Sequence, residues 1–113
     1  MKKEDKPQNG SESQHKSVDV TKLIEKVSSY KKSLTQKYHL KKIGIFGSYV
    51  RGEETVKSDI DVLVEFRDPV SFFEFMDLEE ELTEILGLKV DLVSKKALKP
   101  RIGRQILKEV IYI

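Results

Sequence analysis

The chain has 113 residues, the length of one domain with a modest core. Its 21 lysine and arginine residues nearly balance its 19 aspartate and glutamate residues, so it lacks the strong basicity of a dedicated nucleic-acid binder, and we expect no direct nucleic-acid binding. It contains no cysteine and no apolar run of membrane-spanning length, which excludes thiolate metal sites and predicts a cytoplasmic protein without membrane contact.

The first part of the chain divides into a polar tail and a helix. Residues 1–17 contain no aliphatic or aromatic residue after Met1, so we predict a disordered polar tail and place the folded domain at residues 18–113. Asp19 has the side chain of a helix N-cap, and apolar residues recur at helical spacing from there to about Tyr38. This apolar stripe consists of Val20, Leu23, Ile24, Val27, Tyr30, Leu34 and Tyr38.

The next segments predict two strands joined by a short turn. Residues 41–47 (KKIGIFG) have the apolar character of a buried strand that ends in a glycine. Residues 48–52 are predicted to form a helical turn, which a polar loop follows through Lys57. Residues 59–66 (DIDVLVEF) alternate in character and predict the second strand.

The following helix has complete start and stop signals. Ser71 and Glu74 predict a capping box at its beginning, and Gly87 predicts its end. We expect its apolar face to enter the core, and we expect its phenylalanines, Phe72, Phe73 and Phe75, to pack there rather than to stack on bases. The apolar face consists of Phe72, Phe75, Met76, Leu78, Leu82, Ile85 and Leu86.

The end of the chain adds a third strand and a last helix. Residues 88–93 (LKVDLV) predict the strand, and Pro100 suits the first turn of the helix. Residues 110–113 (VIYI) predict a small further strand. This order of elements indicates an α/β fold, with a sheet of three or four strands and helices packed against it.

Three aspartates stand in or beside strands, where aspartate is disfavoured. Asp59 and Asp61 lie two residues apart, so their side chains share one face, and Asp91 repeats the pattern on the third strand. Because burying an unpaired carboxylate is costly, these groups need a cation or the edge of a cleft. They suit hard divalent cations, which prefer oxygen ligands. A second interpretation makes them ordinary turn and strand-end residues.

Gly47 and Ser48 lie between a buried strand and a helical turn. The first N–H groups and the positive dipole end of a helix suit phosphate, and the Ser48 hydroxyl adds a donor. Arg51 is placed to return over the phosphates with its guanidinium group, and Gly52 to turn the chain toward the next strand. Taken alone, a glycine–serine pair is more typical of an ordinary loop.

Together these segments resemble a known signature. Residues 47–52 (GSYVRG), a five-residue spacer and residues 58–64 (SDIDVLV) are similar, in order and spacing, to the signature of the nucleotidyltransferase superfamily that includes DNA polymerase beta. Asp91, within residues 90–93 (VDLV), matches the third carboxylate of that family. The closest resemblance is to the minimal nucleotidyltransferases of bacteria and archaea, the MNT or MntA-like group, and it covers residues 18–113.

The resemblance implies a fold, a set of cofactors and a set of site residues. The implied fold is the nucleotidyltransferase fold, a small mixed sheet of three to four strands flanked by helices. The implied cofactor is Mg²⁺, as two ions, and the implied substrate is ATP. The implied catalytic and metal-binding residues are Asp59, Asp61 and Asp91, and the implied nucleotide-binding residues are Gly47, Ser48, Arg51 and Ser58. In this scheme Asp91 also helps to take the proton of the acceptor.

The resemblance also implies a partner. In the minimal family, AMP is typically transferred to a tyrosine of a HEPN-type toxin, an RNase, so that the chain would be the antitoxin of a toxin–antitoxin pair. One alternative is a catalytically weak antitoxin that acts by binding alone. Another is a nucleotidyltransferase that acts on a small molecule or on nucleic acid.

The charged residues are unevenly distributed along the chain. Residues 74–84 carry acidic charges only, and residues 95–108 carry basic charges only. Arg101, Arg104 and Lys108 share one face of the last helix. A solvated face is the usual explanation of such a stripe, and an anionic acceptor or a partner protein is the alternative.

Overall fold

The described chain alternates helices and strands. The computed structural model describes residues 19–113, and the predicted tail at residues 1–17 lies outside the described residues. The elements are α1 (Val20–Tyr38), β1 (Leu40–Phe46), α2 (Ser48–Arg51), β2 (Ile60–Phe66), α3 (Phe72–Leu86), β3 (Val90–Ser94), a 3-10 turn (Lys95–Ala97), α4 (Pro100–Glu109) and β4 (Ile111–Tyr112). This order confirms the predicted one. None of the helices described here has the length and apolar character needed to cross a membrane.

Four strands form one mixed sheet in the order β3-β2-β1-β4. β2 runs antiparallel to β1 and parallel to β3, and β4 pairs antiparallel with β1. The register places Asp61 opposite Phe46 on β1 and level with Asp91 on β3. The end of β1 and the starts of β2 and β3 therefore lie together at one end of the sheet. The predicted α/β class with a small mixed sheet is confirmed.

Helices cover both faces of the sheet. The helices α1 and α3 pack against one face, and the core between them includes Leu23, Val27, Leu34, Ile43, Ile45, Val62, Val64, Leu78, Leu82 and Leu92. The helix α4 covers the other face, where Ile106 packs with Phe46 and Leu63. Because residues two apart in a strand share a face, Asp61 lies on the same side as Leu63, the side covered by α4.

The predicted helix ends are confirmed by their hydrogen bonds. The Asp19 carboxylate accepts the Thr21 N–H at 2.9 Å and begins α1. The Ser71 hydroxyl accepts the Glu74 N–H at 3.1 Å while the Glu74 carboxylate accepts the Ser71 N–H at 2.9 Å, which forms the predicted capping box. Gly87 ends α3 in the left-handed conformation that glycine adopts most easily.

Four aromatic or apolar residues predicted to lie in the core are exposed instead. Tyr30 is 49% exposed, and Phe72, Phe73 and Met76 are 70%, 77% and 42% exposed. Phe75 packs against the core, as predicted. The error has a geometric cause, since Phe72, Phe73 and Met76 fall off the stripe that α3 turns toward the sheet, and Tyr30 lies at the edge of the stripe of α1.

The outer edge of β3 is bound by side chains of α3. The N–H groups of Val90 and Leu92 are accepted by the Thr83 hydroxyl at 3.2 Å and the Glu79 carboxylate at 2.9 Å. The Thr83 hydroxyl in turn donates to the Glu79 carbonyl at 3.0 Å. The helix thus supplies the acceptors that a further strand would otherwise provide.

Candidate active site

Gly47 connects β1 to α2 in a conformation open to glycine alone. Its φ of 87° and ψ of −154° lie in a region where a side chain is strained. A Cβ atom at this position would also overlap the carboxylate of Asp61. The loop backbone and the Asp61 side chain are therefore in direct contact, and the contact requires that residue 47 have no side chain.

Asp61 sits among other negative charges. Burial, followed by the charges of Asp91 and Asp59, raises the pKa of Asp61 to about 6, although Arg51 acts in the opposite direction. A carboxylate whose ionised form is disfavoured in this way gains most from a bound cation. The charges around Asp61 therefore favour a bound cation beside its carboxylate over an ionised carboxylate with no cation nearby.

Asp59 and Asp91 flank Asp61 but do not complete a rigid cage with it. Asp59 directly precedes β2, and its carboxylate lies 3.6 Å from the Lys89 ammonium group. Asp91 is exposed on β3. Within residues 19–113, no three acidic or imidazole groups stand close enough to form a ready-made metal site. The oxygen-only set of ligands, together with the crowded charge on Asp61, nevertheless fits a hard divalent cation such as Mg²⁺.

Arg51 reaches across to α4. Its Nε lies 3.0 Å from the Glu53 carboxylate, and its Nη1 lies 3.0 Å from that of Glu109. These hydrogen bonds, Glu53 first, raise the pKa of the guanidinium group. The predicted role of Arg51 in phosphate binding stays a prediction, and the structure shows which carboxylates now hold the group.

Glu109, the last residue of α4, is a site residue that sequence reasoning missed. Its Oε2 accepts the Gly47 N–H at 2.7 Å, and the same carboxylate pairs with Arg51. The side chain is only 19% exposed. One signal was available, because Glu109 is the only acidic residue of an otherwise basic helix. Its partner loop, however, lies 62 residues away in sequence.

The remaining predicted nucleotide-binding residues, Ser48 and Ser58, lie in the segment between β1 and β2. Ser48 opens α2 and is half-buried. The Ser58 hydroxyl accepts the Thr55 N–H at 2.8 Å and so closes the loop before β2, and its predicted role with nucleotide stays a prediction. Tyr49 is buried in the core, and burial raises the pKa of its phenol. Tyr49 is therefore a packing residue.

The last helix presents its basic residues to solvent. Arg101, Arg104 and Lys108 are exposed, together with the apolar side chains of Ile102 and Leu107. Only Gly103 and Ile106 of this helix are buried. The three basic residues share one face of the helix, whereas Ile102 and Leu107 lie outside that face, on its two flanks. The exposed face is therefore mainly a positively charged one.

A cavity of about 580 Å³ opens at the other end of the strands. It is lined by the ends of β2 and β3 and by the start of α3, including Phe66, Phe72 and Phe75. None of the predicted site residues lines it. The cavity is therefore separate from the end of the sheet where the predicted site residues lie.

Comparisons with known proteins identify the family. The nucleotidyltransferase domain family matches residues 27–113. The protein adenylyltransferase MntA of Thermococcus cleftensis is 46% identical over 87 residues, which cover 77% of this chain and 88% of that protein. A solved minimal nucleotidyltransferase is 32% identical with a TM-score of 0.72, over 86% of this chain and 98% of that one. A chain from the complex of tri-AMPylated Shewanella oneidensis HEPN toxin with MNT antitoxin shares the fold, at 23% identity and a TM-score of 0.60, over 80% of this chain and 70% of that one. This chain therefore belongs to the nucleotidyltransferase domain family, as one of its minimal members.

Proposed function

We propose that this chain transfers AMP from ATP, with Mg²⁺, to a tyrosine of a HEPN-type toxin and so acts as the antitoxin of the pair. The observation that supports this most is the direct contact between Gly47 and Asp61. A loop that binds phosphate and a carboxylate that binds a cation must lie together if both are to act on one triphosphate. Here Gly47 follows β1 and Asp61 lies on β2, and the two residues meet across these neighbouring strands.

Each residue has a separate role in the proposed reaction. Asp59, Asp61 and Asp91 would hold Mg²⁺, which supplies positive charge to the reacting phosphates. Gly47 and Ser48 would bind the triphosphate through N–H and hydroxyl donors. The acceptor hydroxyl then bonds to the α-phosphorus while the bond to pyrophosphate breaks. Asp91 is exposed, so an acceptor can approach it, and it would take the hydroxyl proton.

The proposed acceptor is a protein for two reasons. The relative from Thermococcus cleftensis is named a protein adenylyltransferase, and the fold is shared with a chain of a HEPN toxin–antitoxin complex. The described residues also offer an exposed basic helix, on which a partner can dock. The cytoplasmic location stays a prediction from the sequence.

The proposal is tested by mass spectrometry of the partner. The protein encoded by the neighbouring gene is incubated with this chain, ATP and Mg²⁺, and we expect it to gain the mass of one or more AMP groups on tyrosine. Toxin neutralisation without any mass gain, by the unchanged chain and by Asp61→Asn alike, would instead indicate an antitoxin that acts by binding alone. If AMP is instead transferred to a small molecule or to RNA, the proposed nucleotidyl transfer would stand and the proposed antitoxin role would be rejected.

The triphosphate loop gives a first prediction. Ser48→Ala should weaken ATP binding by a few-fold, and Arg51→Ala should weaken it by roughly tenfold or more, because the latter loses a charge-assisted contact. Calorimetric titration of ATP with Mg²⁺ measures both effects. Lys57→Ala, in the exposed loop before β2, serves as the control for loss of a positive charge nearby. Unchanged affinity for ATP in both variants would indicate that residues 47–51 form an ordinary turn with no role in nucleotide binding.

The basic face of α4 gives a second prediction. Reversal of Arg101 and Arg104 to glutamate should slow AMP transfer to the partner by about tenfold at low salt, because charged faces accelerate encounter. Added salt should reduce the difference. The matched control reverses Lys22 and Lys26, which are exposed on α1. Equal rates for the two double variants would exclude α4 as the docking face.

A further inference from the structure

The carboxylate of Glu109 binds two donors at once. Its Oε2 lies 2.7 Å from the Gly47 nitrogen, and its two oxygens lie 3.0 and 3.1 Å from Nη1 of Arg51. The backbone of Gly47 is buried and the Glu109 side chain is 19% exposed, whereas the Arg51 side chain is 46% exposed. The contact is therefore shielded at Gly47 and open to solvent at Arg51. In the described structure these donors therefore already hold an anionic group.

The same two donors are those that the proposed function assigns to the triphosphate. A carboxylate and a phosphate both accept hydrogen bonds from a backbone N–H and from a guanidinium group, with similar geometry. A single backbone N–H donates one full-strength hydrogen bond, so it cannot serve both acceptors well. Glu109 and a phosphate placed at Gly47 would also repel each other, because both are negative.

We propose that Glu109 is an internal competitor of the nucleotide: its carboxylate occupies the Gly47 N–H and the Arg51 guanidinium in the free chain and is displaced when a triphosphate binds. This inference rests on the proposed function, since it takes the triphosphate to bind at Gly47. Displacement frees Arg51 from one of its two carboxylate partners, so that it can turn toward the phosphates. Because Glu109 is the last residue of α4, nucleotide binding is coupled to the end of that helix.

The opposing explanation is that Glu109 only clamps Arg51 in its working position. The two explanations predict opposite changes in polyphosphate affinity when Glu109 is replaced. If Glu109 competes, its removal tightens the binding of a polyphosphate; if it clamps, its removal leaves Arg51 disordered and weakens that binding. Glu53 provides a matched control, because it also pairs with Arg51 at 3.0 Å but does not contact Gly47.

The test uses inorganic tripolyphosphate with Mg²⁺ as the probe, titrated calorimetrically into the full chain. Glu109→Gln should bind it at least about fivefold more tightly than the unchanged chain, as expected when a charge-assisted competitor is removed. Glu53→Gln should stay within about twofold. Glu109→Asp, which keeps the charge but shortens the reach to Gly47, should also bind more tightly than the unchanged chain.

A second readout follows the amide of Gly47 by NMR in the unchanged chain. Its resonance should shift on addition of tripolyphosphate and should shift in the free Glu109→Gln variant, because both changes replace the carboxylate at this N–H. Affinity for tripolyphosphate that is equal or weaker in Glu109→Gln would overturn the inference. The proposed function is judged separately, by AMP transfer. Transfer by the unchanged chain without tighter tripolyphosphate binding in Glu109→Gln would reject only the role of Glu109 as a competitor. Tighter binding in the variant without any AMP transfer would reject only the proposed reaction.

Discussion

Replacing Asp61 with asparagine should lower AMP transfer by about a thousandfold or more and leave the fold intact. Asp61 lies level with Asp91 and beside Gly47, so its loss removes the carboxylate at the centre of the proposed metal site. The measurement is the initial rate of AMP incorporation into the partner at saturating ATP. Asp68→Asn, a change of an exposed carboxylate near the other end of β2, is the matched control.

The same variant should be more stable than the unchanged chain when no metal is added. The pKa of Asp61 is raised to about 6, so the folded state prefers the protonated group, and the stability linked to this group is lost as the pH rises through that value. Asparagine mimics the protonated form. We expect a gain of about 1 kcal/mol at pH 7, allowing for solvent screening, and almost none at pH 4. Thermal unfolding at the two pH values measures the difference. Turnover within a few-fold of the unchanged chain, or an equal stability difference at both pH values, would contradict this account of Asp61.

Replacing Gly47 with alanine should damage both stability and transfer. The added Cβ overlaps the Asp61 carboxylate, and the backbone of residue 47 lies in a region that only glycine adopts readily. We expect a loss of roughly 2–4 kcal/mol in the free energy of unfolding and a fall in transfer of about a hundredfold in the molecules that remain folded. Urea unfolding and transfer rates, measured on the same samples, test the two effects.

Gly52→Ala is the control for this second prediction. Gly52 also has a positive φ, of 73°, and ends the same short helix α2, but a Cβ there meets no atom within 4 Å. Its replacement should cost only the backbone strain, about 1 kcal/mol, and should leave transfer almost unchanged. If Gly47→Ala reduced stability and transfer no more than Gly52→Ala does, the close approach of the loop to Asp61 would have no role in transfer.

The parts of the fold that sequence alone predicted are those that depend on local chemistry. The capping box of Ser71 and Glu74 and the termination at Gly87 involve residues within one turn of each other, so the sequence contains all the partners. The grouping of Asp61 with Asp91 was not local. It was predicted because Asp91 repeats on the third strand the pattern of aspartates on the second, and because the motif resembles a known family. The register of β2 with β3 places the two residues level with each other.

The parts that sequence did not predict depend on distant partners. Glu109 meets Gly47 and Arg51 only because α4 crosses the sheet face above them, and no pattern in residues 100–109 gives that crossing. The exposure of Phe72 and Phe73 was also missed. Both lie off the stripe that α3 turns toward the sheet, and because the first turns of the helix carry several apolar side chains, the sequence does not show which of them face the sheet. Tertiary geometry decides both cases.

The side chains that α3 lends to β3 limit the ways in which copies of this molecule can associate. With Thr83 and Glu79 bound to the outward N–H groups of Val90 and Leu92, that margin of the sheet has few free donors for a foreign strand. Growth of the sheet from one molecule into the next, the route toward fibrous aggregates, is therefore hindered on this side by two side chains. The same helix, α3, carries two exposed apolar side chains, Phe72 and Phe73. Contacts between copies through these side chains would therefore not extend readily into strand pairing along β3.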